Sequence, residues 1–369
     1  MAFSKERLRM RSYLQLVATG PELSKSLDMA QAEDALSLIL EGKVDEIQSA
    51  ILLIALRMKR ETDDENIGAL NALQKKLRTV TTKSRQILSI SDPFNGYLRG
   101  LPITAFLPAV LAACGLPTYI HGVHSMGPKY GITAHMILKS VGKKVDLSVN
   151  EAAQRLDQQD VGWSYLDQKE MIPELHDLVG LRDTMVKRTC LSTLEVVLKP
   201  ISGAQHSHLM TGFVHKAYPP VYCQLAKQVG YDSAIIVRGV EGGCIPSLSQ
   251  VSRYFGYADG GELKLYKLAP QRIDIQQKSR MVPIPEGYLD CMGQTSYQNT
   301  EVLKPAIEQA AELGLGALAN VSGSALDSLV YGAAISLSHL GLCRGLEEGA
   351  TFARTTIASG KALEVFNAG

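Results

Sequence analysis

At 369 residues and 46% hydrophobic content, the chain is long enough for two domains with buried cores and lacks the composition of a disordered protein. Thirty-eight Lys and Arg against 37 Asp and Glu leave a formal charge of +1, which excludes a global pull toward nucleic acid or membrane, so any such partner must be met by a local patch. The longest apolar run, Ala50 to Leu56, is far shorter than the roughly 20 residues that cross a bilayer, and no export signal follows the basic start Met1 to Arg11. Six cysteines, at 114, 190, 223, 244, 291 and 343, are scattered without a Cys-x-x-Cys pair, as expected of reduced thiols in a cytoplasmic protein.

The first eighty or so residues read as helices. Asp28 and Gln31 form a capping-box start, after which Met29, Ala32, Leu36, Ile39 and Leu40 fall on one helical face until Gly42 supplies a stop. A second helix is expected to turn Ile47, Ala50, Ile51, Ile54 and Met58 inward. Asp63, Asp64 and Glu65 then open a third, with Ile67, Leu70, Leu73 and Leu77 on its buried face. Around Arg85 the period changes. Ile87, Leu88 and Ile90 form a strand that runs into the turn-rich Ser91-Asp92-Pro93-Phe94-Asn95-Gly96. A helix from Thr104 to Cys114, a strand at Thr118 to Ile120 and a helix from Ile132 to Val141 follow. The pattern resumes with a helix Val221 to Val229 and a strand Ala234 to Val237, and helical signals fill the chain from Val302 onward. Alternating strands and helices imply a mostly parallel sheet.

Specific motifs sharpen this reading. Glu41-Gly42-Lys43, Gln48 and the run Leu56 to Thr62 resemble the amino-terminal signature of the anthranilate phosphoribosyltransferase family. Ala112-Ala113-Cys114-Gly115-Leu116 leads into His121 to Gly131, which resembles the family's HGNRSVSSKSG. Leu181 to Thr189 resembles its VRxxLGxRT helix, and Ala333-Ala334 with Gly345 to Gly360 its last helices. The resemblance implies a small helical domain (1–84, with a return segment near 173–190) and a larger α/β domain with a central, mostly parallel sheet (85–369). It also implies a homodimer formed through the helical domain. The family reaction transfers ribose 5-phosphate from phosphoribosyl pyrophosphate to an aromatic amine, for which glycine-rich amides, a lysine and carboxylate-bound magnesium are the natural tools.

Several of those tools are altered. Where the family has GTGGD, this chain has Asp92-Pro93-Phe94-Asn95-Gly96; proline removes an amide donor and Phe94 is bulky, so the segment reads as a turn or as an Asn95-Gly96 pair able to accept one phosphate. Thr104 sits in the place of the family's NIST element, as a helix N-cap or an anion-binding hydroxyl. His121, Ser125 and Lys129 are retained from HGNRSVSSKSG, with Lys129 the foremost phosphate candidate and His121 either packed or a ligand; Val123 stands where an asparagine helps hold anthranilate. Arg182 and Arg188 are candidates for an acceptor's anionic group, or for a solvated basic face. After the strand at 234–237 only Glu241 remains of a paired Asp-Glu, so magnesium could bind there only with oxygens supplied by the substrate.

Two functions follow. One is a transferase on this fold that takes a phosphoribosyl pyrophosphate-like molecule, with Thr104, Ser125 and Lys129 on a phosphate, Glu241 on a metal and an acceptor other than anthranilate. The other is a non-catalytic protein binding single- or double-stranded nucleic acid, which the resemblance of Asn95-Gly96, His121-Gly122-Val123 and Gly239 to Gly242 to a branch with a basic groove implies. Residues 1–90 hold only two more basic than acidic residues, so such a groove must come from sorting charges between faces.

Overall fold

The computed structural model describes residues 4–20, 22–285, 295–296 and 298–369; Cys291 lies outside them. Four helices open the chain: α1 (Lys5–Val17), α2 (Met29–Leu40), α3 (Glu46–Lys59) and α4 (Asp63–Lys76). The Asp28/Gln31 capping box closes on α2 as read, and Gly42 ends that segment with φ +62°. A second capping box, Thr62 with Glu65, starts α4. Each such cap stabilises its helix by about 1 kcal/mol. Glu65 does more than cap. Its buried carboxylate also pairs with Lys59 at 2.6 Å and accepts from the Leu27 amide at 2.9 Å, tying the end of α3 and the approach to α2 onto α4.

One expectation reverses in α3. Of the residues expected to turn inward, Ile47, Ile51 and Met58 lie outward, Ile47 72% and Met58 77% exposed, while Ala50 and Ile54 are half-buried; Ser49, Leu52, Leu53 and Leu56 form the buried face instead. The helix is apolar nearly all round, so its period alone cannot choose a face.

A two-stranded sheet of β1 (Val80–Thr81) and β5 (Ile201–Ser202) adjoins a seven-stranded sheet. The larger sheet comprises β2 (Gln86–Ser91), β3 (Thr118–Gly122), β4 (Trp163–Asp167), β6 (His206–Gly212), β7 (Ser233–Val237), β8 (Ser252–Tyr257) and β9 (Lys264–Leu268), in the order β4-β3-β2-β6-β7-β8-β9. Its first five members in that order are parallel, and β8 and β9 are added antiparallel. Thus the helical amino-terminal domain and the mostly parallel α/β domain are both present.

Between β2 and β3 lies α5 (Leu107–Ala113), and between β3 and β4 lie α6 (Ala134–Ser140) and α7 (Val149–Leu156). Between β4 and β5 lie α8 (Gln168–Met171), α9 (Pro173–His176), α10 (Val179–Met185) and α11 (Leu191–Leu194). After β6 comes α12 (Tyr218–Val229), and α13 (Lys304–Leu318), α14 (Ser324–His339), α15 (Leu346–Ala358) and α16 (Lys361–Ala368) close the chain. One sheet face, with Leu88, Ile90, Met210 and Ile235, is buried under α5, α6 and α13 to α16. The other, with Ile87, Tyr119, Leu209 and Ile236, is buried under α7, α12 and the helical domain. Among the described residues, no helix is long and apolar enough to cross a membrane.

Candidate functional site

The chain runs outward from β2 through β3 to β4, then returns to β6 on the other side of β2. The helices that follow β2 and β6 lie on opposite sheet faces, since α5 packs on one core and α12 on the other. Such a switch leaves a crevice beyond the carboxyl ends of the two strands, where open α/β sheets bind ligands. A cavity of about 160 Å³ occupies it. Its floor is Pro93 to Asn95 after β2 and Thr211 to Phe213 at the end of β6; Glu241 and Gly242 come from beyond β7. The helical side contributes Arg57, Arg182, Arg188 and Glu195.

The loop after β2 is committed to internal bonds. Gly96, at φ +69°, donates its N–H to the Pro93 carbonyl at 2.8 Å, and a β-carbon there would lie 2.4 Å from the Gly131 backbone. Tyr97 and Ile132 exchange hydrogen bonds at 2.9 and 2.8 Å, welding this turn to the His121 to Gly131 segment. With its amide oriented to satisfy both groups, Asn95 accepts from Arg188 Nε at 2.8 Å and from its terminal nitrogen at 3.0 Å. Beneath lies Asp92, whose buried carboxylate accepts from the Cys244 amide at 3.0 Å; burial raises its pKa, and hydrogen bonds from Cys244, Thr104 and Tyr97 hold it back.

Thr104 differs from expectation. It lies inside a short 3-10 turn, Ile103–Phe106, which precedes α5, and neither start carries a side-chain cap. Its side chain is buried beside an inner cavity with Tyr97 and Met281.

His121 is 1% exposed, has no partner at either ring nitrogen and packs between Phe94 and Tyr119. Burial drives its pKa down to about 3, so the ring is neutral near pH 7. Ser125 is likewise buried, its hydroxyl without a partner. Lys129 and Glu241, far apart in sequence, form a mostly buried ion pair. Glu241 also accepts from the amides of Arg99 at 2.7 Å and Leu98 at 3.3 Å. Burial lowers the Lys129 pKa, and Glu241 opposes that shift.

Arg182 is almost fully buried and bound bidentately by Glu195 at 2.6 and 2.8 Å, with Ser192 accepting a third bond at 3.2 Å. Its charge is therefore balanced within the fold. Arg188 and Arg57 are exposed, and among the described residues neither has a carboxylate within ion-pairing distance. Burial first, then the neighbouring Arg57, lowers the Arg188 pKa, so these two cations share one field. Glu195, Tyr218 and Tyr222 also line this cleft. None of them stands in a recognisable motif, and each reaches the cleft only through the packing of distant segments.

A second, larger cleft of about 730 Å³ meets the first at Phe213, Val214 and Glu241. Arg99, Arg238 and Arg280 line it, all exposed and, among the described residues, none paired with a carboxylate. Five such arginines thus border two adjoining clefts.

The comparisons agree with this architecture. Residues 11–77 match the helical bundle domain of a glycosyl transferase family, and residues 100–363 match that family's a/b domain. The anthranilate phosphoribosyltransferase of Persephonella marina is 25% identical over 368 residues, covering 96% of each chain. An uncharacterized protein of Aquifex aeolicus is 28% identical over 225 residues, which span 60% of this chain and 65% of that one. Among solved structures, anthranilate phosphoribosyltransferase from Thermus thermophilus superimposes with a TM-score of 0.74 at 18% identity, over 98% of this chain and 97% of that one. The Saccharomyces cerevisiae enzyme in complex with PRPP and Mg gives 0.74 at 16% identity, over 99% and 97%. The chain therefore belongs to the glycosyl transferase family of helical-bundle and α/β domains that includes the anthranilate phosphoribosyltransferases.

Proposed function

We propose that this protein binds phosphate-bearing ligands in the cleft between its domains and has lost or redirected phosphoribosyl transfer to anthranilate. One observation carries the reading: Lys129 and Glu241, standing where the family keeps a phosphate lysine and a magnesium acid, neutralise each other. The neighbouring amides are also spent, those of Gly96 and Tyr97 on the backbone and those of Leu98 and Arg99 on Glu241. A leaving pyrophosphate needs donors that are free and preorganised where its charge develops. Magnesium fits poorly too. Glu241 spends both oxygens on Lys129 and backbone amides, and Asp92 is buried on Cys244, so these two acids offer no free pair of carboxylate oxygens to a hard cation. Of the remaining candidates, Arg188 is the most accessible cation beside Asn95, while Arg182 and His121 serve packing in the ligand-free form. Calorimetric titration of phosphoribosyl pyrophosphate with and without magnesium, beside an anthranilate turnover assay, tests this; turnover at an ordinary enzymatic rate sinks it.

A second reading, nucleic-acid binding, draws on the second cleft. Arg57 and Arg188 in one cleft and Arg99, Arg238 and Arg280 in the next offer more unpaired cations than one sugar phosphate needs. A fluorescent oligonucleotide titrated at two salt concentrations discriminates, because each phosphate contact steepens the salt dependence by about one unit. The exposed apolar residues Ile47, Ile51 and Met58 on α3, with Val186 just after α10, support a homodimer formed through the helical domain.

A further inference from the structure

Glu241 is held in an unusual way. Its backbone adopts φ +55° and ψ 14°, a left-handed conformation disfavoured for any residue carrying a β-carbon, yet glycine does not stand there although it does at 239, 242 and 243. The side chain, 7% exposed, receives three donors at once: the consecutive amides of Leu98 and Arg99, and Lys129. Two successive backbone N–H groups with a mostly buried lysine are what proteins assemble around a phosphoryl oxyanion. Glu241 lines both arginine-bordered clefts where they meet, and Arg99 lines the second, so a polyanion in either cleft meets the Glu241 carboxylate that covers the amides of Leu98 and Arg99 and the Lys129 ammonium. A carboxylate presents two of the oxygens that a phosphate would.

We infer that Leu98, Arg99 and Lys129 form an oxyanion seat for a phosphate or pyrophosphate group, and that Glu241 fills this seat as an intramolecular stand-in that a ligand must displace. The inference rests on the reading that the cleft receives phosphate groups. It reassigns Glu241 from metal ligand to competitor. It also explains why an acid is kept on a strained backbone: the strain is offset by three charge-assisted bonds that only an anion can make. Displacement frees Glu241 to swing toward solvent and the arginines nearby, so occupancy of the seat and the position of the 240–242 turn are coupled.

The probe is inorganic pyrophosphate without metal, titrated by calorimetry into the full-length protein. Glu241→Gly removes the stand-in and suits the left-handed backbone, so affinity is expected to rise on the order of tenfold or more over the wild type. Adding Lys129→Ala should abolish the gain, and Glu241→Gln, which still fills the seat but cannot pair with the lysine, should give a smaller one. Should Glu241→Gly not fold, Glu241→Asn, short, uncharged and tolerant of the same backbone, replaces it. A folded Glu241→Gly or Glu241→Asn protein whose pyrophosphate affinity stays within about twofold of the wild type overturns the seat, as does a gain that persists without Lys129. These outcomes are separable from the preceding reading. A wild-type protein that turns over anthranilate refutes that reading, whereas the seat stands or falls on the gain in the Glu241 variants.

Discussion

Replacing Arg182 with alanine would leave Glu195, 1% exposed, with Gln168 as its remaining side-chain donor at 3.0 Å. The two bonds lost, at 2.6 and 2.8 Å, form a bidentate pair between side chains only 4% and 2% exposed, so water cannot replace the guanidinium. Removing one partner of such a buried pair costs about 3–5 kcal/mol, against about 1 kcal/mol or less for an exposed cation. Arg182→Ala and Glu195→Ala should each destabilise by that larger amount in urea titrations followed by circular dichroism. The double replacement Arg182→Met/Glu195→Leu, which removes both charges and keeps the volume, should return to within roughly 1 kcal/mol of the wild type. An Arg182→Ala protein that loses less than about 1 kcal/mol would show the arginine to be free for a ligand and would refute its structural assignment.

Arg188→Ala should leave stability nearly unchanged but weaken oligonucleotide or pyrophosphate binding and flatten the salt dependence by about one unit; unchanged affinity removes Arg188 from the site. Anthranilate and phosphoribosyl pyrophosphate should turn over negligibly, since loss of one well-placed electrostatic contact commonly costs on the order of a hundredfold in rate and several losses compound. Light scattering should give twice the 40.0 kDa chain mass for the wild type, and Ile51→Glu on the exposed face of α3 should release the monomer; a wild-type monomer at micromolar concentration refutes the dimer. For pH, burial lowers the folded pKa of His121 to about 3 and of His208 to about 4, both below the ordinary 6.5. Their contribution is full above about pH 6.5 and is lost as pH falls toward those values, at about 1.4 kcal/mol per pH unit for each ring. His121→Leu should flatten the acid limb by one such increment in urea titrations near pH 5, and an unchanged slope there would contradict the burial argument.

Helix caps and stops proved the most legible parts of the fold. Asp28, Gln31 and Gly42 act through the residues next to them, so their roles are written locally. Strand β2 and strand β7 were legible as short apolar runs. Strand β6 was not, because His206-Ser207-His208 puts polar side chains at the start of a central strand and leaves no apolar period. The face of α3 was misread for a related reason. A helix with apolar residues on every side states that it is packed but not on which face, and Ile47, Ile51 and Met58 are the ones left exposed.

The site was legible position by position and illegible in its pairings. Lys129, Glu241, Arg182 and Arg188 each stood out by residue type, yet what each can do depends on a partner from another segment: Glu241 for Lys129, Glu195 for Arg182, Asn95 for Arg188. Counting retained residues treats a lysine and an acid as two assets. In space they cancel, and a ligand meets only the charge left over, which here lies on Arg57, Arg188 and the three arginines of the adjoining cleft. The number of motif residues a chain keeps is therefore a poor measure of the field at its site. That field is set by which charges the fold has already satisfied, and an ion pair must be broken, at the cost of its hydrogen bonds, before either member can serve a ligand.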